Sequence, residues 1–528
     1  MAENYDIVVV GSGHNGLTAA AYLASAGLSV KVLEKNEFYG GGVVTREVTA
    51  PGFKHDLHST GHIFIQANPL ILNDELGLKS DFGLEYVNPE AYFGCVFEDG
   101  SSLVTYTGLD KTCAAIAEHS KRDAVAYHVF VEKCQRMLTM FTMGLFNPPS
   151  TYGAFMAVLD QSPEGRDVIG EMHRSAYDII MDLFENEKVR MHFLKWAGES
   201  MQGPEVKGTG INLYLMCGMT HTHPNGLPVG GSGALSDSLV RCIEHHGGEV
   251  STGCNVMRLL KSGNRATGVV LDDGTEYHAK RAVIGCIHPH LLNDFVGGDL
   301  EDTLQANLSR VQPASYSAMN THYALKEAPV YKAGGDVGRC FAVETHRGGL
   351  RDMREMFDEF RYGRVPKDLS LLSICNSNHD PSRAPNGQAT LYLYHFMPFD
   401  LEDGGSAQWD VIKDEVADRL LEELQLFTTN MGSDNIIARH VESPLDFVRH
   451  TPSMQHGDIL GAGMYLDQIL GRRPIPEVAD YTVDGLESFY LCGPFMHPGG
   501  GVIGGGRPVA IKMMSDMGLD FQSAIANQ

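Results

Sequence analysis

The stretch YDIVVVGSGHNGLTAAAYLASAGLSVKVLE, residues 5–34, carries the reading of the fold. YDIVVV is a continuous apolar, β-branched run, as expected of a strand buried on both faces. Gly11, Gly13 and Gly16 follow it as G-x-G-x-x-G. Leu17, Ala20, Ala21, Leu23 and Ala24 then recur with helical spacing, and Gly27 closes the helix. SVKVLEK reads as a second strand ending on Glu34, an acidic residue about 20 positions past the glycines. The unit is a strand, a glycine turn, a helix and a second strand, the pattern of a dinucleotide-binding fold. Gly11 permits the tight turn, Gly13 lets backbone approach a pyrophosphate, and Gly16 lets helix and strand pack closely. The helix N-terminus presents free N–H groups and a positive dipole end to phosphates. Glu34 accepts hydrogen bonds from a ribose diol and repels a 2′-phosphate.

A bare glycine pattern decides nothing. Glycine makes up 59 of 528 residues, so chance supplies roughly 0.7 such patterns in a chain of this length. A second one occurs in HPGGGVIGGGRP, residues 497–508, at Gly499, Gly501 and Gly504. No buried strand runs directly into it, and no second strand ending on an acidic residue can follow it. It reads as a loop of close approach, with Pro508 in the first turn of a last helix. FYGGGVVTRE, just after the second strand, adds Gly40, Gly41 and Gly42 as a second backbone surface against the same ligand.

Further along, LPVGGSGALSDSLVRCIEHHGGEV repeats a glycine turn and an amphipathic helix with Leu235, Leu239 and Ile243 on one face. GEVSTGCNVMRLL, RATGVVLDDGTEYHA and KRAVIGC read as strands, with Asp273-Gly274 as a hairpin turn. ESFYLCG is a short final strand. Residues 70–224 read as mostly helical, and 315–400 as an antiparallel sheet, from alternation such as ATLYLYHF. WDVIKDEVADRLLEELQLF, residues 409–427, is an amphipathic helix. The predicted architecture is α/β, a Rossmann-like domain of glutathione-reductase type carrying an inserted α+β substrate domain of antiparallel sheet plus helices. The first domain takes residues 1–69, 225–300 and 455–528. The second takes 70–224 and 301–454.

Composition narrows the function. The formal net charge of −25 repels nucleic-acid phosphates and argues against such a partner. Ten cysteines without C-x-x-C spacing give neither a zinc cluster nor a disulfide framework. A reducing, cytoplasmic setting is expected, with peripheral membrane contact compatible. No signal peptide or membrane-spanning run is read. The oligomeric state is not readable from the chain.

Three blocks, residues 6–45, 227–239 and 473–505, stand in order along the sequence. They resemble the phytoene desaturase-related branch of the FAD-dependent amine-oxidase-like flavoproteins. The resemblance is nearest in flavour to desaturase-type β-carotene ketolases and the pyridine nucleotide-disulfide oxidoreductase domain-containing protein 2 group. It implies FAD, with Gly11, Gly13 and Gly16 on the pyrophosphate and Glu34 on the adenosine ribose. It further implies Gly41, Gly42 and Thr45 along the pyrophosphate and ribityl region, and Val256 at the adenine edge. Gly493 would sit beside the ribityl-phosphate, and Gly501 and Val502 would pass the isoalloxazine ring.

Two departures stand out. Gly42 occupies a position where many relatives carry arginine, a charge Arg46 would supply. His58 stands where relatives carry glycine. His497, His62, His58 and Arg46 are therefore the candidate catalytic groups. His221 and His223 form a His-x-His pair without a locatable third ligand, so no metal site is expected. The implied activity is a dehydrogenase or desaturase that moves hydride from a C–H of an apolar substrate to flavin N5. Electrons then leave to a quinone, a carrier protein or O2. A flavin-dependent isomerase or saturase is the alternative. An amine oxidase ranks lower, because Phe495 lacks an evident aromatic partner, and a non-catalytic FAD-stabilised binding protein ranks with it.

Overall fold

In the computed structural model, which describes residues 3–526, the first strand is Glu3–Val10, with Ile7 to Val10 buried. It pairs in parallel with Val30–Leu33 on one side and Glu276–Gly285 on the other. Leu486–Leu491 continues the parallel core beyond Glu276–Gly285, and Glu249–Ser251 extends it beyond Val30–Leu33. An antiparallel hairpin, Val256–Ser262 with Arg265–Leu271, flanks this eight-stranded sheet. Its strands all come from residues 3–33, 249–285 and 482–491.

The helix His14–Ser25 is buried from His14 to Ala24 and packs on the helices Gly233–His245 and Gly506–Asp516. Burial on every face follows from its Ala-rich sequence, which lets neighbouring backbones come close. A Cβ on Gly506 would lie 2.0 Å from the Asn15 carbonyl oxygen. The helix Gly506–Asp516 begins two residues before Pro508 and is not the last, because the short helix Phe521–Ala526 follows it.

The second sheet has seven strands in the order Ile436–Glu442, Ser317–Leu325, Ala389–Met397, Leu372–Ile374, Ala342–His346, Ala91–Phe97 and Ser102–Tyr106. Three expectations need correction. The sheet is mixed, because Ala342–His346 runs parallel to Ala91–Phe97. Residues 91–106 are a strand pair inside the stretch read as mostly helical. AYFGCVF is buried throughout and so lacks the alternation that marks a half-exposed strand. Similarly, Glu276–Gly285 is one ten-residue strand, not two. The helix Trp409–Phe427 matches its expected span. Among the described residues, no helix is long and apolar enough to cross a membrane.

Asp56 ties the pieces together. Its Oδ1 accepts from Thr45 Oγ1 at 2.6 Å and from the Ser232 backbone N–H at 2.8 Å. Its Oδ2 accepts from Thr60 Oγ1 at 2.9 Å and pairs with the fully buried Arg383 at 2.6 Å. One carboxylate thus links the chain after the second strand, the helix at Gly233 and the connection between Leu372–Ile374 and Ala389–Met397 of the second sheet.

Candidate functional site

A cavity of about 430 Å³ opens at the carboxyl ends of the parallel strands, where open α/β sheets bind ligands. Gly11, Gly13 and Gly16 form one wall, and the three glycines do different jobs. Gly11 has φ of 92°, which an L side chain rarely adopts. A Cβ on Gly16 would meet Cys286 Sγ at 2.7 Å and the Gly11 carbonyl oxygen at 2.8 Å. A Cβ on Gly13 would meet no protein atom within 4 Å and would project into open space. The helix behind this turn has neither a side-chain cap nor an acidic residue in its first turn. Its first N–H groups are left for an anion. The Gly40 N–H bonds to the Ser12 carbonyl at 3.0 Å, laying the second glycine run beside the first.

Glu34 sits at the end of Val30–Leu33, buried and facing the cavity. Its Oε2 accepts from the Ser12 N–H at 3.0 Å and the Ser12 hydroxyl at 2.7 Å, and its Oε1 from the Asn36 N–H at 2.9 Å. The carboxylate is fixed in place with acceptor capacity left on each oxygen. These features fit a dinucleotide carrying a free ribose diol: an uncapped helix end, room where a Cβ would stand, and an oriented carboxylate.

Val256, Gly493, Gly501 and Val502 also line the cavity, as do Gly41 and Gly42. Thr45 does not. Its hydroxyl donates to Asp56 and accepts from the Gly233 N–H at 2.9 Å, so it holds the returning helix instead. Of the four catalytic candidates, only His58 faces the cavity. Arg46 is exposed, with its guanidinium over the Phe38 ring at 4.3 Å. Both nitrogens of His62 are engaged, with Tyr86 Oη at 3.0 Å and Ser232 Oγ at 2.8 Å. His497 is buried against the Gly144 carbonyl at 3.1 Å. His221 bonds the Tyr127 hydroxyl at 2.8 Å and the Thr107 carbonyl at 3.0 Å, a structural role.

The sequence reading missed several cavity residues. His14 and Asn15 lie within the glycine motif itself. Cys286 follows directly on Glu276–Gly285, so the rule that ligands sit at the carboxyl ends of parallel strands would have found it. Met454, Ile459 and Leu460 form an apolar wall, and no local motif announces them. Phe495 does have an aromatic neighbour, His288, edge-on at 5.7 Å.

Several buried imidazoles are held neutral. Burial pushes His62, His192, His288 and His395 down to about 3 from an ordinary 6.5. The unfolded chain binds protons on these groups below about pH 6.5 while the folded one does not. Their contribution to stability is therefore complete above that pH and falls as pH drops towards 3. Each of these rings adds to the loss of stability as pH falls below 6.5. The melting temperature should be level above pH 7 and fall steeply between pH 6.5 and 5. A flat profile down to pH 5 would show that these rings are not held neutral.

Fold and site define a flavoprotein of the two-sheet, dinucleotide-binding kind. The chain belongs to the flavin containing amine oxidoreductase family, which matches residues 16–451. Pyridine nucleotide-disulfide oxidoreductase domain-containing protein 2 of Mus musculus is 27% identical, over 98% of this chain and 94% of its own. One chain of the limonene dehydrogenase of Castellaniella defragrans is 26% identical, over 98% of this chain and 95% of its own. Lycopene-forming phytoene desaturase of a Paracoccus species is 24% identical, over 97% of both. The solved cyclohexylamine oxidase of Brevibacterium oxydans shares the fold, with a TM-score of 0.60 at 15% identity over 97% of this chain and 99% of that one. The protein is an FAD oxidoreductase of the desaturase and dehydrogenase type, in the phytoene desaturase-related branch.

Proposed function

We propose that the protein is an FAD-dependent dehydrogenase or desaturase acting on an apolar alicyclic, terpenoid or carotenoid-like molecule. A hydride leaves one substrate C–H and a proton leaves the neighbouring atom to a histidine or water, forming the new double bond, and the electrons pass on to a quinone, a carrier protein or O2. The observation that carries this reading is the continuity of the cavity. One space joins the glycine turn to an apolar wall of Met454, Ile459, Leu460, Phe495 and Val502. The similarity to a limonene dehydrogenase and to phytoene desaturases supports an apolar substrate.

Bound FAD supplies a two-electron acceptor. The chain's own residues do the rest. Gly11, Gly13 and the end of the helix at His14 would hold the pyrophosphate, with Gly41 and Gly42 beside it. Glu34 would hold the ribose diol and Val256 would border the adenine. Gly493, Gly501 and Val502 would line the flavin end of the cavity. The apolar wall excludes water and orients a hydrocarbon by shape, which is how a substrate without polar handles is positioned.

Anaerobic titration of the purified yellow protein tests the reading. Alicyclic or terpenoid hydrocarbons should bleach the flavin band near roughly 450 nm, its usual position in oxidised flavin. Bleaching by primary amines alone would replace the proposal with amine oxidation. Isomeric products without bleaching would replace it with isomerisation.

A further inference from the structure

Three residues from separate segments converge on the wall of the cavity: His58, Glu442 and His450. Each offers one ligand atom, and these atoms all lie within 4.8 Å of one another. Glu442 ends the strand Ile436–Glu442. His450 ends the short helix Pro444–His450, which Ser443 and Asp446 cap reciprocally. That helix folds the chain back so that His450 Nδ1 lies 3.3 Å from Glu442 Oε1. His58 is held edge-on against Phe447 of the same helix, with ring centroids 4.9 Å apart.

The polar atoms here are unsatisfied. His58 Nδ1, Glu442 Oε2 and His450 Nδ1 are each sealed from solvent without a directed hydrogen bond. The Glu442 side chain is only 2% exposed, and among the described residues its ion pairs are with His440 and His450, with no lysine or arginine. A carboxylate buried without a cation costs several kcal/mol. The other mixed cluster, Cys95, Glu344 and His346, differs on this point. There Lys195 Nζ stands 3.0 Å from Glu344 and supplies the cation.

We propose that His58, Glu442 and His450 bind a divalent first-row transition ion such as Zn2+ or Fe2+. Two imidazoles and one carboxylate are the donor set such ions prefer over Mg2+ or Ca2+. Tetrahedral bonds of about 2.0–2.1 Å put ligand atoms about 3.3 Å apart, the separation seen between His450 and Glu442. His440 Nε2 also lies 3.3 Å from Glu442 Oε1, which leaves Oε2 as the oxygen without a partner. His58 and His450 both line the cavity, so the open coordination positions face the flavin-binding space. The proposal does not depend on which substrate the enzyme takes.

Metal analysis of untagged, flavin-loaded protein tests it. The expected content is about one equivalent per chain. Glu442→Gln should retain its flavin, because Glu442 does not line the cavity, yet lose metal at least about tenfold. Stripped wild-type protein titrated with Co2+ should develop a visible d–d band saturating near about one equivalent, and Glu442→Gln should not. Wild-type protein with neither bound metal nor a saturable cobalt band would overturn the site. So would equal metal content in wild type and Glu442→Gln.

Discussion

Gly13→Val gives a protein that folds normally and is colourless. Gly13 has φ of −59° and ψ of 154°, angles open to any residue. A Cβ there meets no protein atom within 4 Å, so the cost to the fold should be small, about 1 kcal/mol for a poorer helix cap. The added methyl groups occupy the space assigned to the pyrophosphate. Flavin affinity should fall at least about 100-fold, or about 3 kcal/mol. Gly16→Val is the control with the opposite signature. Its side chain collides with Cys286 and the Gly11 carbonyl, and overpacking of this kind costs the fold about 1–3 kcal/mol. Thermal melts of the apoproteins and flavin titrations separate the two. A yellow Gly13→Val protein with wild-type affinity would show that the pyrophosphate lies elsewhere.

Arg473→Met should damage both the fold and cofactor retention. The Arg473 side chain is fully buried and donates only to backbone carbonyls. It bonds Leu460 at 3.0 Å, Ala462 at 2.9 Å and Pro494 at 2.7 Å, with longer bonds to Gly463, Gln468 and Met496. Burial lowers its pKa to about 10, which leaves it charged at neutral pH, with Asp458 favouring the charge. Methionine fills similar volume but takes the guanidinium away from six carbonyls, of which, among the described residues, Gly463 alone keeps another donor, Gln468 Nε2 at 3.0 Å. At about 1–3 kcal/mol for each that water cannot reach, stability should fall by at least about 3 kcal/mol. Leu460 and Pro494 line the cavity, so flavin retention should fall with it. Chemical denaturation and the flavin-to-protein absorbance ratio read the two effects. A variant that loses neither would show that water replaces the guanidinium and that the loop is held by other contacts.

That the glycine turn and Glu34 line the cavity was legible because their placement is local. Gly11, Gly13, Gly16 and Glu34 lie within 24 residues of one another, and one turn, one helix and two strands set their positions. The catalytic candidates were less legible. His62 had the right neighbourhood, but its partner Ser232 lies 170 positions away, and that contact removes it from the cavity. Arg46 turned outward onto Phe38. Arg473 gave only a weak cue, a charge among prolines in GRRPIP.

The amino-acid sequence by itself determined the parallel dinucleotide-binding core; that the dinucleotide is FAD follows from the family resemblance and the family match. Periodicity, glycine placement and strand-end acidity act over one supersecondary unit, and the same physics operates in any chain that carries them. Tertiary structure alone decided which side chains face the cavity. It sent Thr45 to Asp56, buried His62 against Ser232, and brought His58, Glu442 and His450 together from segments nearly 400 residues apart. Such meetings depend on how two sheets and a short capped helix pack against one another. HPGGGVIGGGRP shows the same division. Its glycines repeat the fingerprint in letters, but without a strand before it and a helix directly on its third glycine it becomes a loop whose Gly501 and Val502 border the cavity.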